Sequence, residues 1–408
     1  MSNVAVIGAG AAGLVAAYAA ARNGNKVTVF EKNEKCGKKI YITGKGRCNV
    51  THACTPDEFL TNIVNNSKFM TGAIYAFSPD ATMKFFEDGG LKLKVERGER
   101  VFPVSDKASD VTRCLENYCL NEGALFKFCE EVKNINVLSS TVSGITTQKG
   151  RYFFDKVIVC TGGLSYPATG STGDGYVFAE NLGHNIITPK QALCGINLKG
   201  AWFKSLQGLS LKNVRLTVYN GDKSIKEFFG EMLFTHYGVS GPIVLSASSL
   251  INRLDLNNIK FTLDLKPALS YEQLDRRILR DFEEYKNKSV SNCLKQLLPS
   301  ALIAEVLKRS NIMQDKKVNS VTKTEKQSLL TVIKNFDMLV LSLRGFDEAI
   351  VTSGGVDIKE INPKTMESKF IKGLFMCGEV LDLDAFTGGY NLQIAFSTGF
   401  AAGNSIKE

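Results

Sequence analysis

Hydrophobic and polar positions fall into two regimes along the chain. Residues 4–7, 27–30 and 157–160 are near-continuous apolar runs, the pattern of strands covered on both faces in a parallel sheet. An Ala-rich stretch after the first run predicts a helix, so residues 3–31 read as strand, loop, helix, strand. Residues 55–100 read as mainly helical, and Arg113–Glu122 as a helix followed by a strand near Leu125–Glu130. Alternation on either side of Lys149-Gly150 predicts a hairpin from Val132 to Phe154. From about residue 191 to 265 the pattern changes to repeated alternation, as in Val214–Tyr219 and Ile259–Leu265, which predicts a separate β-rich unit. Residues 270–335 are charged and helical, with Pro299 breaking or capping one helix. Strand and glycine signals return at Ala349–Gly355 and Leu374–Glu379, before a final apolar helix over Ile394–Ala402.

This order predicts an α/β domain in two sequence segments, residues 1–190 and 345–408. Between them stand a β-rich domain, residues 191–265 plus about 336–344, and a helical subdomain, residues 266–335. A chain of 408 residues is long enough for two or three domains.

Hydrophobic content of 44% and charged content of 22% are ordinary for a soluble globular protein. The uncharged stretch 4–21 raises a membrane span, but it is mostly Ala and Gly, and Met1-Ser2-Asn3 supplies no basic start for a signal peptide. A cytoplasmic protein without a membrane span is expected. The ten cysteines contain no C-x-x-C, and there are only three histidines, so free thiols and no metal site are expected. The formal charge of +9 is spread over scattered lysines, with small clusters at Lys35/Lys38/Lys39 and Lys316/Lys317. That fits a solvated surface and phosphate-facing lysines better than a nucleic-acid face.

The chemistry begins at Gly8, Gly10 and Gly13, in G-x-G-x-x-G spacing between the first strand and the Ala-rich helix. Gly8 permits the tight turn, Gly10 leaves room for a pyrophosphate, and Gly13 lets helix and strand pack closely. The helix N-terminus offers free N–H groups and a positive dipole end to phosphates. The second strand ends at Glu31, at the offset where a carboxylate binds a ribose hydroxyl. Far downstream, Gly378-Glu379 ends a strand, and Gly388 to Gln393 opens the last helix. A second helix N-terminus aimed at a ligand suits a reduced flavin, which carries negative charge.

Several long blocks carry a family resemblance: Gly37-Lys38-Lys39 with Thr43 to Asn49, Arg100-Val101-Phe102-Pro103, Thr161 to Pro167 with Gly170 to Gly173, Leu233 to His236 with Gly238 to Pro242, and Gly378 to Asp382 with Gly389 to Gln393. With the opening glycines they make the chain resemble the YhiN/BaiN-like flavoproteins, within the glutathione-reductase-like FAD superfamily. The resemblance implies a Rossmann-like FAD-binding domain of glutathione-reductase type in two segments, interrupted by an inserted β-rich domain and a helical subdomain. It implies FAD held by Gly8, Gly10, Ala11, Ala12 and Gly13, with Glu31 and Lys32 at the adenosine end and the Val132 backbone at the adenine. Gly37, Lys38, Thr43, Gly44, Arg47, Cys48, Asn49, Thr161 and Gly162 would lie along the pyrophosphate and flavin. Gly378, Glu379, Asp382, Gly389, Asn391 and Leu392 would meet the flavin end. Arg47 suits a phosphate or a reduced flavin, or else a surface ion pair.

Candidate proton donors are Tyr166, His236, Tyr237 and Tyr390, each equally at home in a structural role. No second G-x-G-x-x-G marks a separate NAD(P) domain, so electrons come from the substrate or from NAD(P)H docking at the flavin. The resemblance admits NAD(P)H-driven reduction of a C=C bond conjugated to a ketone, as in a 3-oxo steroid or bile-acid intermediate. It also admits oxidation of a small primary amine such as aminoacetone. The aromatics Trp202, Phe203, Phe228, Phe229 and Phe234 mildly favour an apolar, steroid-sized substrate, against the alternative that they are ordinary core. A non-catalytic flavin sensor or RNA-binding flavoprotein is the rival from another class. A small-molecule substrate and no nucleic-acid partner are expected, and the sequence leaves the oligomeric state open.

Overall fold

The computed structural model describes residues 1–407, which fold as two compact units. One unit joins Met1–Ala192 to Gly345–Glu408, and the other is Leu193–Arg344.

The first unit is built on a five-stranded parallel sheet in the order Leu374–Met376, Lys156–Val159, Asn3–Ile7, Lys26–Glu31, Leu125–Phe128. Its central strands are buried along nearly their whole length, which explains why they lack alternation. The helix Ala11–Arg22 leaves the first strand and is buried on almost every side. It owes this to alanine. Small side chains let the C-terminal helix Tyr390–Ser405 approach so closely that a Cβ on Gly399 or Gly403 would fall 2.3 Å from the Ala12 carbonyl oxygen or 2.2 Å from that of Ala16. The helix Ala108–Asn121 adds a further contact, the Cys119 thiol lying 3.1 Å from the Leu14 carbonyl oxygen.

Two elements differ from the sequence expectation. Residues 55–100 contain three helices, Pro56–Leu60, Ser67–Ala76 and Pro79–Asp88, but end in the strand Leu93–Glu96, which pairs with Arg100–Pro103. The stretch 132–154 is a three-stranded meander, Val132–Leu138, Thr141–Thr147 and Gly150–Phe153. The extra turn lies at Ser139-Ser140, both at positive φ, where no Gly, Asn or Asp announces it.

The second unit is a closed antiparallel barrel of six strands. Their order is Ile196–Leu198, Gly238–Ser240, Lys223–Phe234, Ser210–Asn220, Ile259–Asp264 and Phe336–Leu343. Phe234, Phe261 and Phe336 are fully buried, and they share one core with the helices Pro242–Ile251, Tyr271–Glu284, Ser300–Arg309 and Lys323–Lys334. Capping boxes at Ser270/Gln273 and Thr322/Glu325 start two of these helices. Among the described residues no helix is long and apolar enough to cross a membrane, and no group of three or more His, Cys, Asp or Glu is placed to hold a metal ion. All ten cysteines are free.

Candidate functional site

The opening glycines form the turn that their spacing predicts. Gly8 sits at φ +99°, and a Cβ there would lie 2.6 Å from the Cys160 carbonyl oxygen. A Cβ on Gly13 would lie 1.9 Å from the Gly8 carbonyl oxygen, so helix and strand meet backbone to backbone. At Gly10 a Cβ would meet nothing within 4 Å. The turn therefore opens onto free space in front of the helix N-terminus, where Ala11 and Ala12 begin the first turn.

Glu31 reaches the rim of this space. One carboxylate oxygen accepts the Ala9 N–H at 2.8 Å, and the other accepts from the Asn33 backbone and amide at 2.8 and 2.7 Å. Lys32 is turned away, pairing with Asp174 at 2.7 Å and Thr172 at 2.6 Å. The Glu130 N–H donates to the Glu31 carbonyl at 3.0 Å, which brings buried Val132 to the same end of the sheet.

The Gly37–Asn49 segment is tied to the glycine turn through the Gly37 N–H, which donates to the Ala9 carbonyl at 2.8 Å. Gly37 and Gly44 both adopt left-handed backbone. Lys38 pairs with the exposed Glu34 at 2.7 Å, and the Thr43 hydroxyl donates to the Ile40 carbonyl. Arg47 takes the ion-pair alternative. Its guanidinium binds Glu96 and Asp106 and lies 4.2 Å over the Phe102 ring; that pairing holds Glu96 below its usual range, and Lys94 together with Arg47 does the same for Asp106. Cys48 is fully buried at positive φ, and burial pushes its thiol up to about 12, so it is no nucleophile. One buried oxygen of this segment, Asn49 Oδ1, has no hydrogen-bond partner. Buried polar atoms are seldom left unpaired, and this one suits a polar ligand lying along the loop; Thr161 Oγ1, also unpaired, faces Gly175 instead. Gly162, at φ +73°, leads into the loop that carries Tyr166.

Glu379, like Glu31, accepts three donors. It accepts from Lys39 Nζ at 2.6 Å, Ser165 Oγ at 2.6 Å and the Thr352 N–H at 2.9 Å. The Thr352 hydroxyl in turn accepts the Leu164 and Ser165 N–H groups. Sequence reasoning missed Lys39, Ser165 and Thr352. Lys38 and Lys39 are adjacent on a one-turn helix and so point in different directions, and only the folded chain decides which one turns inward. Gly378, at φ +78°, donates its N–H to Thr398. Asp382 accepts from Asn66, and Asn391 is spent on loop structure, bonding both the N–H and the C=O of Ala385. Gly389 caps the last helix in left-handed conformation, next to half-buried Leu392.

The candidate proton donors separate. Tyr390 lies in the core, stacked on His52 at 4.5 Å and tilted against Phe59, and burial pushes its phenol well up. That packing is the structural role. Tyr166 is half-buried at φ +53°, an unusual backbone for a non-glycine residue before proline, and burial with Glu348 nearby raises its phenol. His236 is exposed in the second unit, edge-on to Tyr237 at 5.0 Å, and Tyr237 lies under Arg344 at 4.5 Å. Four of the insert's five named aromatics pack in or against its core. Phe203 and Phe234 are buried, Trp202 packs on both and on Phe336 beneath Arg309, and Phe228 lies against the same core. Phe229 is the exposed member, at 62%.

A glycine turn at a helix N-terminus, an acidic rim and a parallel sheet that receives its last strand and helix from the chain's end define a Rossmann-like fold of the FAD-dependent enzymes. The chain belongs to the HI0933-like family, whose Rossmann-domain description matches residues 2–405. It is 31% identical over 412 residues to a 3-dehydro-bile acid delta(4,6)-reductase of Clostridium scindens, covering 100% of both chains. It is also 31% identical over 411 residues to a ribosomal RNA dihydrouridine synthase of Haemophilus influenzae, covering 98% of this chain and 97% of the relative. Among solved structures, a 3-ketosteroid delta4-(5alpha)-dehydrogenase from Rhodococcus jostii superposes over 99% of this chain and 96% of its own. Its TM-score is 0.53 at 16% identity, a likeness of fold.

Proposed function

We propose that this protein is an FAD-dependent oxidoreductase that reduces a C=C bond conjugated to a carbonyl group, with NAD(P)H as electron donor. The observation that carries this reading is the end-to-end similarity to a 3-dehydro-bile acid delta(4,6)-reductase. The site supports it. The Gly8–Gly13 turn has open space for a pyrophosphate, Glu31 lies at the rim for a ribose, and Asn49 holds an unpaired buried oxygen. When bound and reduced by NAD(P)H, the flavin would supply the hydride for the β-carbon of the conjugated bond. The protein's task is to bind and orient it, to exclude water, and to deliver a proton to the α-carbon. Tyr166 is the chosen donor: its phenol keeps its proton at neutral pH, and its loop is held at Ser165 by Lys39 and Thr352.

Anaerobic mixing with NADH or NADPH tests the reading. The flavin is expected to bleach and to recover its colour when a 4-en-3-one steroid is added. Slow bleaching with both nicotinamides, even with the enone present, overturns it. Peroxide formed from aminoacetone and oxygen without nicotinamide would establish amine oxidation instead.

A second reading has its own support. The uracil C5=C6 bond is also conjugated to a carbonyl, and relatives in Haemophilus influenzae and Escherichia coli are named for making dihydrouridine in ribosomal RNA. The second unit holds 23 lysines and arginines against 14 aspartates and glutamates, a surplus that suits a polyanion. Uridine-containing RNA, offered to the reduced flavin in the same assay, separates the two substrates. Reoxidation by RNA but not by the enone, weakening steeply with salt, would favour this one.

A further inference from the structure

We propose that Lys39 is the cationic hydrogen-bond donor that the first unit presents to its bound flavin, and that Glu379 and Ser165 exist in this site to aim it. The inference rests on the reading that FAD is the cofactor. The Lys39 ammonium has three N–H donors. One goes to Glu379 Oε2 at 2.6 Å and one to Ser165 Oγ at 2.6 Å. Ser165 donates its own proton to Glu379 Oε1, also at 2.6 Å, so its lone pair is free to receive Lys39, and the ring of three groups has a single direction. Glu379 Oε1 accepts the Thr352 N–H as well. The carboxylate thus takes three donors, and its charge is matched inside the protein.

That count bears on Glu379 itself. The family resemblance puts Glu379 at the flavin end, yet here its carboxylate is largely used. What the cluster has left over is the third Lys39 proton. Ser165 is fully buried while the Lys39 side chain keeps 22% of its surface accessible, so the unused donor belongs to the part of the cluster that is still open. A long flexible lysine pays heavily in entropy when immobilised. Here two charge-assisted bonds fix it before any ligand arrives. A preorganised cation of this kind stabilises negative charge that develops on a neighbouring group during reduction.

The test is made on the FAD-loaded protein, with potential and affinity as readouts beside activity. Lys39→Met is expected to shift the two-electron reduction equilibrium at least tenfold toward oxidised flavin, about 30 mV in potential, and to weaken FAD binding at least fivefold. Lys39→Arg, which keeps the charge and two donors, is expected to stay within threefold of the wild type. Should Lys39→Met fail to fold, the double variant K39Q/E379Q keeps an amide pair in place without either charge, and it is expected to move the potential in the same direction by at least threefold. A potential and affinity within twofold of the wild type in the folded variants overturns the proposal, even if their melting temperature falls, because that outcome belongs to a structural clasp. Failure of the wild type to retain FAD is the distinct result that overturns the cofactor reading with it.

Discussion

The two units of this chain solve different physical problems. Leu193–Arg344 carries a surplus of nine positive charges, equal to the formal charge of the whole protein, while the flanking segments hold 27 basic and 27 acidic residues. Glycine is divided the other way, with 29 of the 36 in the first unit. The first unit needs close backbone approach and left-handed turns to shape a cradle for a dinucleotide. The second needs side-chain volume to fill a barrel, and its surface is free to carry charge. One unit invests its sequence in backbone geometry, the other in core and surface.

The largest break in that contrast is expected at Gly13. Gly13→Val places side-chain carbons on the Gly8 carbonyl, where even a Cβ would lie 1.9 Å away. FAD affinity, read by fluorescence titration, should fall at least about a hundredfold, while the barrel keeps its own unfolding signal. A mild loss would show that the turn relaxes. Phe261→Ala works on the other side. Phe261 is fully buried in the barrel core, and its truncation should cost about 3–5 kcal/mol. Calorimetry should show the second unit melting earlier, with FAD affinity within about twofold; a matched loss of both would mean that the units do not act separately.

Smaller effects come from charge. Burial holds His52 and His184, both in the first unit, below their ordinary value of 6.5. The folded state therefore favours their neutral forms, and the unfolded chain binds more protons just below that value. Stability of the first unit should fall as pH drops below about 6.5 and level off beneath the folded-state values, each histidine adding at most one proton to the slope. Urea melts at stepped pH, repeated for His184→Gln, check this; an unchanged slope in the variant would remove His184 from the account. The smallest effect is expected from Arg276→Gln with Arg280→Gln, which neutralises two exposed arginines beside Leu269 and Gln273. If the insert meets a polyanion there, the salt slope of RNA binding should fall by about two, with FAD affinity unchanged.

Much of the first unit was legible because its signals are local. The G-x-G-x-x-G turn, the apolar strands and the closing helix are each written in consecutive residues. The site was legible only as a set of blocks. Arg47 and Asn391 stand in those blocks and Lys32 beside the acidic rim, yet each is engaged by partners of its own: Lys32 by Asp174, Arg47 by Glu96 and Asp106, Asn391 by the Ala385 backbone. Such pairings join residues up to 142 positions apart, and no periodicity records them. The aromatics at 202, 203 and 234 belong to the core, the ordinary alternative to a substrate surface, and only the fold decides this, since composition does not distinguish a core from a pocket.

By itself the sequence determined the nucleotide turn, the Rossmann-like fold and the family. These follow from spacing, period and the conformations that only glycine adopts freely. The tertiary structure decided which charged groups are spent and which are left over. Hydrogen-bond capacity is small and fixed for each side chain, and it is allotted only when distant segments meet. That is why Lys38 and Lys39, neighbours in the chain, end with different partners: Glu34 at the surface, and Glu379 in the site.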